Sequence, residues 1–171
     1  MPGNRTFSLL AVAYVLAIYA SSGWMRSLSA FARRLAGEYL GPLMTVILAL
    51  ILAAVLTAVW RLLRPRSLLP YLPVVLGYGL ALFWLTIPEE RFHLLQYGIL
   101  CFLCDRAVPG RLRVWRRHLV IVALVCLAGI GDELVQWLRP NRVGDLRDVV
   151  INGVAAVLAQ SLIAVSTAAR R

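Results

Sequence analysis

Apolar runs of about twenty residues, parted by short breaks that carry arginine, decide what this chain can become. They fall at Phe7–Trp24, Gly41–Trp60, Leu68–Ile87, Leu119–Leu138 and Val149–Thr167. A helix rising about 1.5 Å per residue crosses the roughly 30 Å hydrocarbon core of a bilayer in about twenty residues. Hydrophobic residues make up 61% of the chain and mean hydropathy is +0.79. Soluble domains use about 45–50%. The expectation is therefore an all-α fold, a polytopic membrane helical bundle forming one domain over residues 1–171. A further segment, Pro88–Val108, holds a shorter apolar run at Phe92–Leu103. It either crosses or lies partly immersed, which leaves six or five transmembrane helices.

The formal net charge is +10, and every basic side chain except the two histidines is an arginine. A pI near 10.8 would also suit nucleic acid. The arginines sit in the breaks between apolar runs, however, where membrane orientation places them, so the partner expected is the bilayer and not nucleic acid. With the N-terminus inside, Arg5, Arg61, Arg64, Arg66, Arg106, Arg111, Arg113, Arg116, Arg117, Arg170 and Arg171 lie inside. Arg26, Arg33, Arg34, Arg91, Arg139, Arg142 and Arg147 lie outside, eleven against seven. The balance favours both termini inside. Trp24, Trp60, Trp84, Trp115 and Trp137 fall near the proposed ends, where indole prefers the interface. Arg5 and the run ending in Ala20-Ser21-Ser22 have the outline of a secretory signal, but the apolar stretch continues to Trp24 and suits a retained first helix. Between the first two spans, Leu28, Phe31, Leu35 and Tyr39 recur at helical spacing in Arg26–Leu40, as in a short interfacial helix lying on the membrane surface. Cys101, Cys104 and Cys126 lie inside apolar segments and read as small, lipid-compatible thiols. Cys101-Phe-Leu-Cys104 lacks the βαβ surroundings of a redox motif.

Charged and amide side chains concentrate where apolar segments end. With six crossings, the break before the fourth helix and the break before the sixth face one compartment, outside by the arginine count. Glu89, Glu90, Arg91, His93 and Tyr97 then share a rim with Glu133, Gln136, Arg142, Asp145, Asp148 and Asn152. His93 and Tyr97 stack at i, i+4, Glu133 and Gln136 at i, i+3, Asp148 and Asn152 at i, i+4. Acids in lipid are costly and tend to be used. Some have structural readings: Thr86-Ile-Pro-Glu89 fits a capping box, and Asp145 fits a helix N-cap with Asp148 favoured by the dipole. His118, beside Arg116 and Arg117, reads as an interfacial residue on the opposite side. Glu133, about 7–8 Å from its helix end, most needs a partner, which Arg91, Arg139, Arg142 or His93 could supply.

These residues carry a resemblance. Glu133-x-x-Gln136 followed by Arg142-x-x-Asp145-x-x-Asp148-x-x-x-Asn152 resembles the signature of the VanZ-like membrane proteins. Glu89-x-x-x-His93-x-x-x-Tyr97 is similar to that family's acid, histidine and aromatic element. The likeness covers about 88–159. The family's usual Asp-Lys ahead of the histidine reads Glu89-Glu90 here, so no role tied to that lysine carries over. The resemblance implies a multi-pass protein of the bacterial cytoplasmic membrane, with a part in teicoplanin-type glycopeptide resistance. It implies no particular reaction.

Three functions fit these residues. In the first, the outer rim binds an anionic lipid-linked or glycopeptide-related ligand through Glu89, Arg91, His93, Tyr97, Glu133, Gln136, Arg142, Asp145, Asp148 and Asn152. In the second, an intramembrane hydrolase or transferase acts on an envelope lipid, with His93, Glu133 and Asp148 as the catalytic candidates. The third, a small transporter, lacks an inverted repeat. One histidine without a second ligand pattern makes no metal site, and no cofactor is expected.

Overall fold

In a computed structural model, residues 4–63, 67–139 and 144–169 are described, without the side chains of Arg26, Leu63 and Glu89. The described residues form six α-helices and two 3-10 turns, with no strand among them. Four helices are long and apolar enough to cross a membrane: α1 (Arg5–Ala36), α2 (Leu40–Leu63), α5 (Val114–Trp137) and α6 (Leu146–Ala168). That is the make-up of a multi-pass membrane protein. Their outward faces are apolar, with Trp24 of α1 80% exposed and Leu62 of α2 78% exposed. A soluble fold would not leave so much hydrocarbon uncovered.

The first helix corrects one expectation. The segment expected as a separate surface helix is helical, but it continues α1 without a break to Ala36. No glycine or proline interrupts residues 24–36, so the backbone has no reason to stop. It stops at Gly37, which adopts φ 54°, the left-handed conformation that suits glycine. At 32 residues α1 is about 48 Å long, well beyond the hydrocarbon thickness.

Prolines shape the next two helices. A 3-10 turn at Leu69–Tyr71 leads into α3 (Leu72–Trp84), with a proline in the first turn of each. At 13 residues, α3 is shorter than the span expected at Leu68–Ile87. Ile87, held extended ahead of Pro88, caps α4 (Pro88–Ala107). The capping box expected from Thr86 does not form, because the cap falls one residue later and carries no side-chain bond. With 20 residues, α4 has the length of a span. Its end, too, precedes a proline, with Val108 extended.

The central element is α4, packed most extensively on α6, then on α1, α5 and α2. On α6 the buried positions Ile151, Asn152, Ala155, Ala156, Ala159 and Gln160 form a stripe of mostly small residues. Small residues let helices approach closely in lipid, and Gly98 of α4 lies against Ala159. Between α5 and α6 the approach is tighter: a Cβ on Gly129 would stand 2.9 Å from the Cβ of Asn152. Gly129→Val is expected to lower stability by about 1–3 kcal/mol through overpacking. Gly79→Ala, with nothing within 4 Å, should leave the thermal midpoint in detergent unchanged or slightly raised.

Candidate functional site

Three helix ends meet on one rim: the starts of α4 and α6 and the end of α5. Glu90 and His93 come from the first two turns of α4, and Tyr97 lies a turn deeper. Asp132, Glu133 and Gln136 come from the last turns of α5, and Asp145, Arg147, Asp148 and Asn152 from the start of α6. Asp132, Glu133, Gln136 and Asn152 are each no more than 4% exposed. Polar groups so deeply buried must find partners.

The partners bind α4 to both neighbours. His93 Nδ1 lies 2.7 Å from Asn152 Oδ1, so the imidazole donates there and its Nε2 is left as the basic nitrogen. Its ring lies parallel to that of Tyr97, with centroids 6.0 Å apart. The Tyr97 hydroxyl, fully buried, donates to Asp132 Oδ2 at 3.1 Å. One turn earlier, Arg147 grips Glu90: Nη2 donates to Oε2 at 3.1 Å and Nε stands 3.0 Å from Oε1. The same guanidinium lies over the Trp84 ring, 5.2 Å from its centroid.

Glu133 fastens the α5–α6 connection. Its Oε1 accepts from Gln136 Nε2 at 3.0 Å and its Oε2 from the Asp145 backbone N–H at 2.9 Å. Asp145 in turn caps α6, accepting from the Arg147 N–H at 2.8 Å. Trp137 Nε1 donates to the carbonyl of Gly144 at 2.5 Å. A Cβ on Gly144 would meet Trp137 and the Glu133 carbonyl, so only glycine fits there. From α1, Tyr19 donates to the Ala128 carbonyl at 2.9 Å, and Arg139 Nη2 donates to the Tyr19 carbonyl at 3.0 Å.

Of the residues expected at the rim, His93, Tyr97, Glu133, Gln136, Asp145 and Asn152 are joined in this way, and Asp148 lies half-buried in the first turn of α6. Arg91 turns elsewhere: Nε donates to the Leu85 carbonyl at 2.9 Å and Nη1 to the Gly41 carbonyl of α2 at 2.6 Å. Arg142 and the side chain of Glu89 lie outside the described residues. Asp132 was not among the expected residues, yet it is the acid that Tyr97 addresses. Its signal was positional: Ile121, Val125, Gly129, Asp132 and Gln136 recur every three or four residues, along the buried face of α5.

A second polar set closes the opposite end of the same three helices. Arg117 Nη1 donates to Asp105 Oδ1 at 2.7 Å, and Nη2 donates to the Asp105 carbonyl. Gln160 Nε2 donates to Asp105 Oδ1 at 3.3 Å and to His118 Nδ1 at 2.5 Å, while Cys101 donates to Gln160 Oε1 at 3.1 Å. His118, expected at an interface, is thus bound into the bundle. All three cysteines are free thiols. Among the described residues, no group of three or more His, Cys, Asp or Glu side chains could hold a metal ion.

Hydrogen bonds to a carboxylate are worth about 1.5–3 kcal/mol and neutral ones about 0.5–1.5 kcal/mol. Tyr97→Phe should therefore destabilise the protein more than Tyr19→Phe, measured as unfolding in a detergent titration. No protein-family model, curated protein or solved structure matches the chain.

Proposed function

We propose that this is a VanZ-like protein of the bacterial envelope, with the His93 end of the bundle facing outward, and that this rim binds the polar head of an anionic lipid-linked or glycopeptide-related ligand. The observation that carries the reading is the gathering of Glu90, His93, Tyr97, Asp132, Asp148 and Asn152 at one end of three packed helices. Such a set is expensive near lipid and supplies acceptors for the hydroxyl, amide or ammonium groups of a head group. Arg139 and Arg147, with the N-termini of α4 and α6, supply positive potential for its anionic part. The excess of arginine at the other end by the positive-inside count supports the orientation, and a role in teicoplanin-type resistance follows from the resemblance.

The test is binding of a lipid-linked saccharide phosphate to purified, reconstituted protein. Asp132→Asn and Asp148→Asn are each expected to weaken it about tenfold or more, the worth of one bond to a charged group. Teicoplanin susceptibility of cells carrying the variants should move in step. Unchanged affinity and susceptibility in folded variants would sink the reading.

A second reading is favoured by one contact. Donation from His93 Nδ1 to Asn152 orients Nε2 as a general base for an intramembrane hydrolase or transferase acting on an envelope lipid. That enzyme would release product from a reconstituted envelope lipid, and turnover should vanish in His93→Gln while binding persists. Binding without turnover in the unaltered protein leaves the first reading alone.

A further inference from the structure

Arg91 and His93 are two residues apart on α4 and so project roughly 160° apart. While His93 faces α6, Arg91 faces α2. There it lines a cavity of about 440 Å³ between the end of α1 and the starts of α2 and α4, with Arg33, Glu38, Thr45 and Thr86 among the walls. We propose that this cavity is a second binding site, for the phosphate of a membrane lipid head group, with Arg91 as its principal contact.

The state of Arg91 points to an anion. Its guanidinium is half-buried, and both of its hydrogen bonds go to backbone carbonyls, of Leu85 and Gly41. Carbonyl oxygens hold the group in place but do not neutralise its charge, and among the described residues it meets no carboxylate. A guanidinium carries five N–H donors in a planar fork, of which two are engaged. Among the described residues both donors on Nη2 are unspent, and the bonds at Nε and Nη1 already fix the group that carries them, so a charge-assisted bond to a phosphate oxygen is open to it. Arg33 and Glu38 line the same wall, and Glu38 adds an acceptor for a head-group hydroxyl.

Depth selects the source of the phosphate. Tyr39, beside the cavity, is 71% exposed, and Trp84, just before Thr86, is 49% exposed. Exposed aromatic side chains of this kind mark the level of lipid head groups. The volume lies in the range of small-ligand pockets, about 300–1,000 Å³, enough for a glycerophosphate. The polar set around His93 lies across α4, so this site stands whether or not that set binds a ligand.

Short-chain phosphatidylglycerol titrated into the delipidated protein, with bound lipid counted by native mass spectrometry, tests the site. One tight lipid per chain is expected. Arg91→Gln should weaken it about tenfold or more. Because that change also breaks the bond from α4 to the Gly41 carbonyl, which the Thr45 hydroxyl meets as well at 3.0 Å, Thr45→Phe provides a second variant that fills the cavity and leaves Arg91 tied, and it should abolish the same binding. If Arg91→Gln does not fold, Thr45→Phe alone decides. Competition by soluble glycerol phosphate at comparable concentration would keep the phosphate site and assign it to a soluble ligand instead. Equal retention of a galactolipid that lacks phosphate, or binding unchanged in Thr45→Phe, overturns the proposal.

Discussion

The distance between α4 and α6 governs most of what this molecule can do. Ala155, Ala156 and Ala159 of α6 are buried in the core, where Cys101 of α4 reaches the Ala156 carbonyl and Gly98 lies against Ala159. Larger residues there would part the helices. In lipid, no hydrophobic force draws helices together, so their approach rests on close packing and on polar bonds between them. At this separation, short side chains can reach across at both ends of the seam: His93 to Asn152 at one, Cys101 to Gln160 at the other. The polar sets are therefore consequences of the alanine stripe as much as additions to it.

Adjacent residues at the start of α4 then organise the periphery. Glu90 takes the α6 side through Arg147, and Arg91 takes the α2 side through the Gly41 carbonyl. Neighbours in a helix point about 100° apart, so one turn of α4 anchors two flanking helices. Among the described side chains of α2 only Leu40 and Leu48 are buried, so the bond at its start adds a specific anchor to a lightly buried helix. The 440 Å³ cavity opens beside that bond because α1 overruns and turns back through Gly37, holding Arg33 and Glu38 over the start of α2.

The helices themselves were legible, since apolar runs of this length have few alternatives. So was the meeting of His93 with the start of α6, because parity in an antiparallel bundle fixes which ends are neighbours. Three things were not. Asp132 escaped because attention to depth singled out Glu133, whereas the buried face of α5 is set by the three-and-four spacing that Asp132 shares with Gly129 and Gln136. Arg91 looked like a partner for Glu133 because parity puts it on the same rim, but its direction on α4 takes it to the other side. The overrun of α1 was hidden because residues 26–36 read as less apolar than a span, and polarity does not end a helix where no breaker stands. In each case, composition located the residues, and angular position on the helix decided their role.

Seen along α4, polar residues at His93, Tyr97, Cys101 and Asp105 recur every fourth position, a spacing that would line a continuous path through the bundle. Their atoms divide instead. The Tyr97 hydroxyl bonds to Asp132, on the rim side, and the Cys101 thiol bonds to Gln160, which belongs with Asp105 and His118. Between them lie Leu100, Val125, Ala155 and Ala156, all at most 1% exposed and none with a polar side chain. A proton relay through side chains needs titratable groups in contact along its length, and among these four residues there is none. An apolar layer thus separates the rim around His93 from the set around Asp105, and at the rim the buried acids are bonded to protein donors: Asp132 to Tyr97, Glu133 to Gln136 and the Asp145 N–H, Glu90 to Arg147.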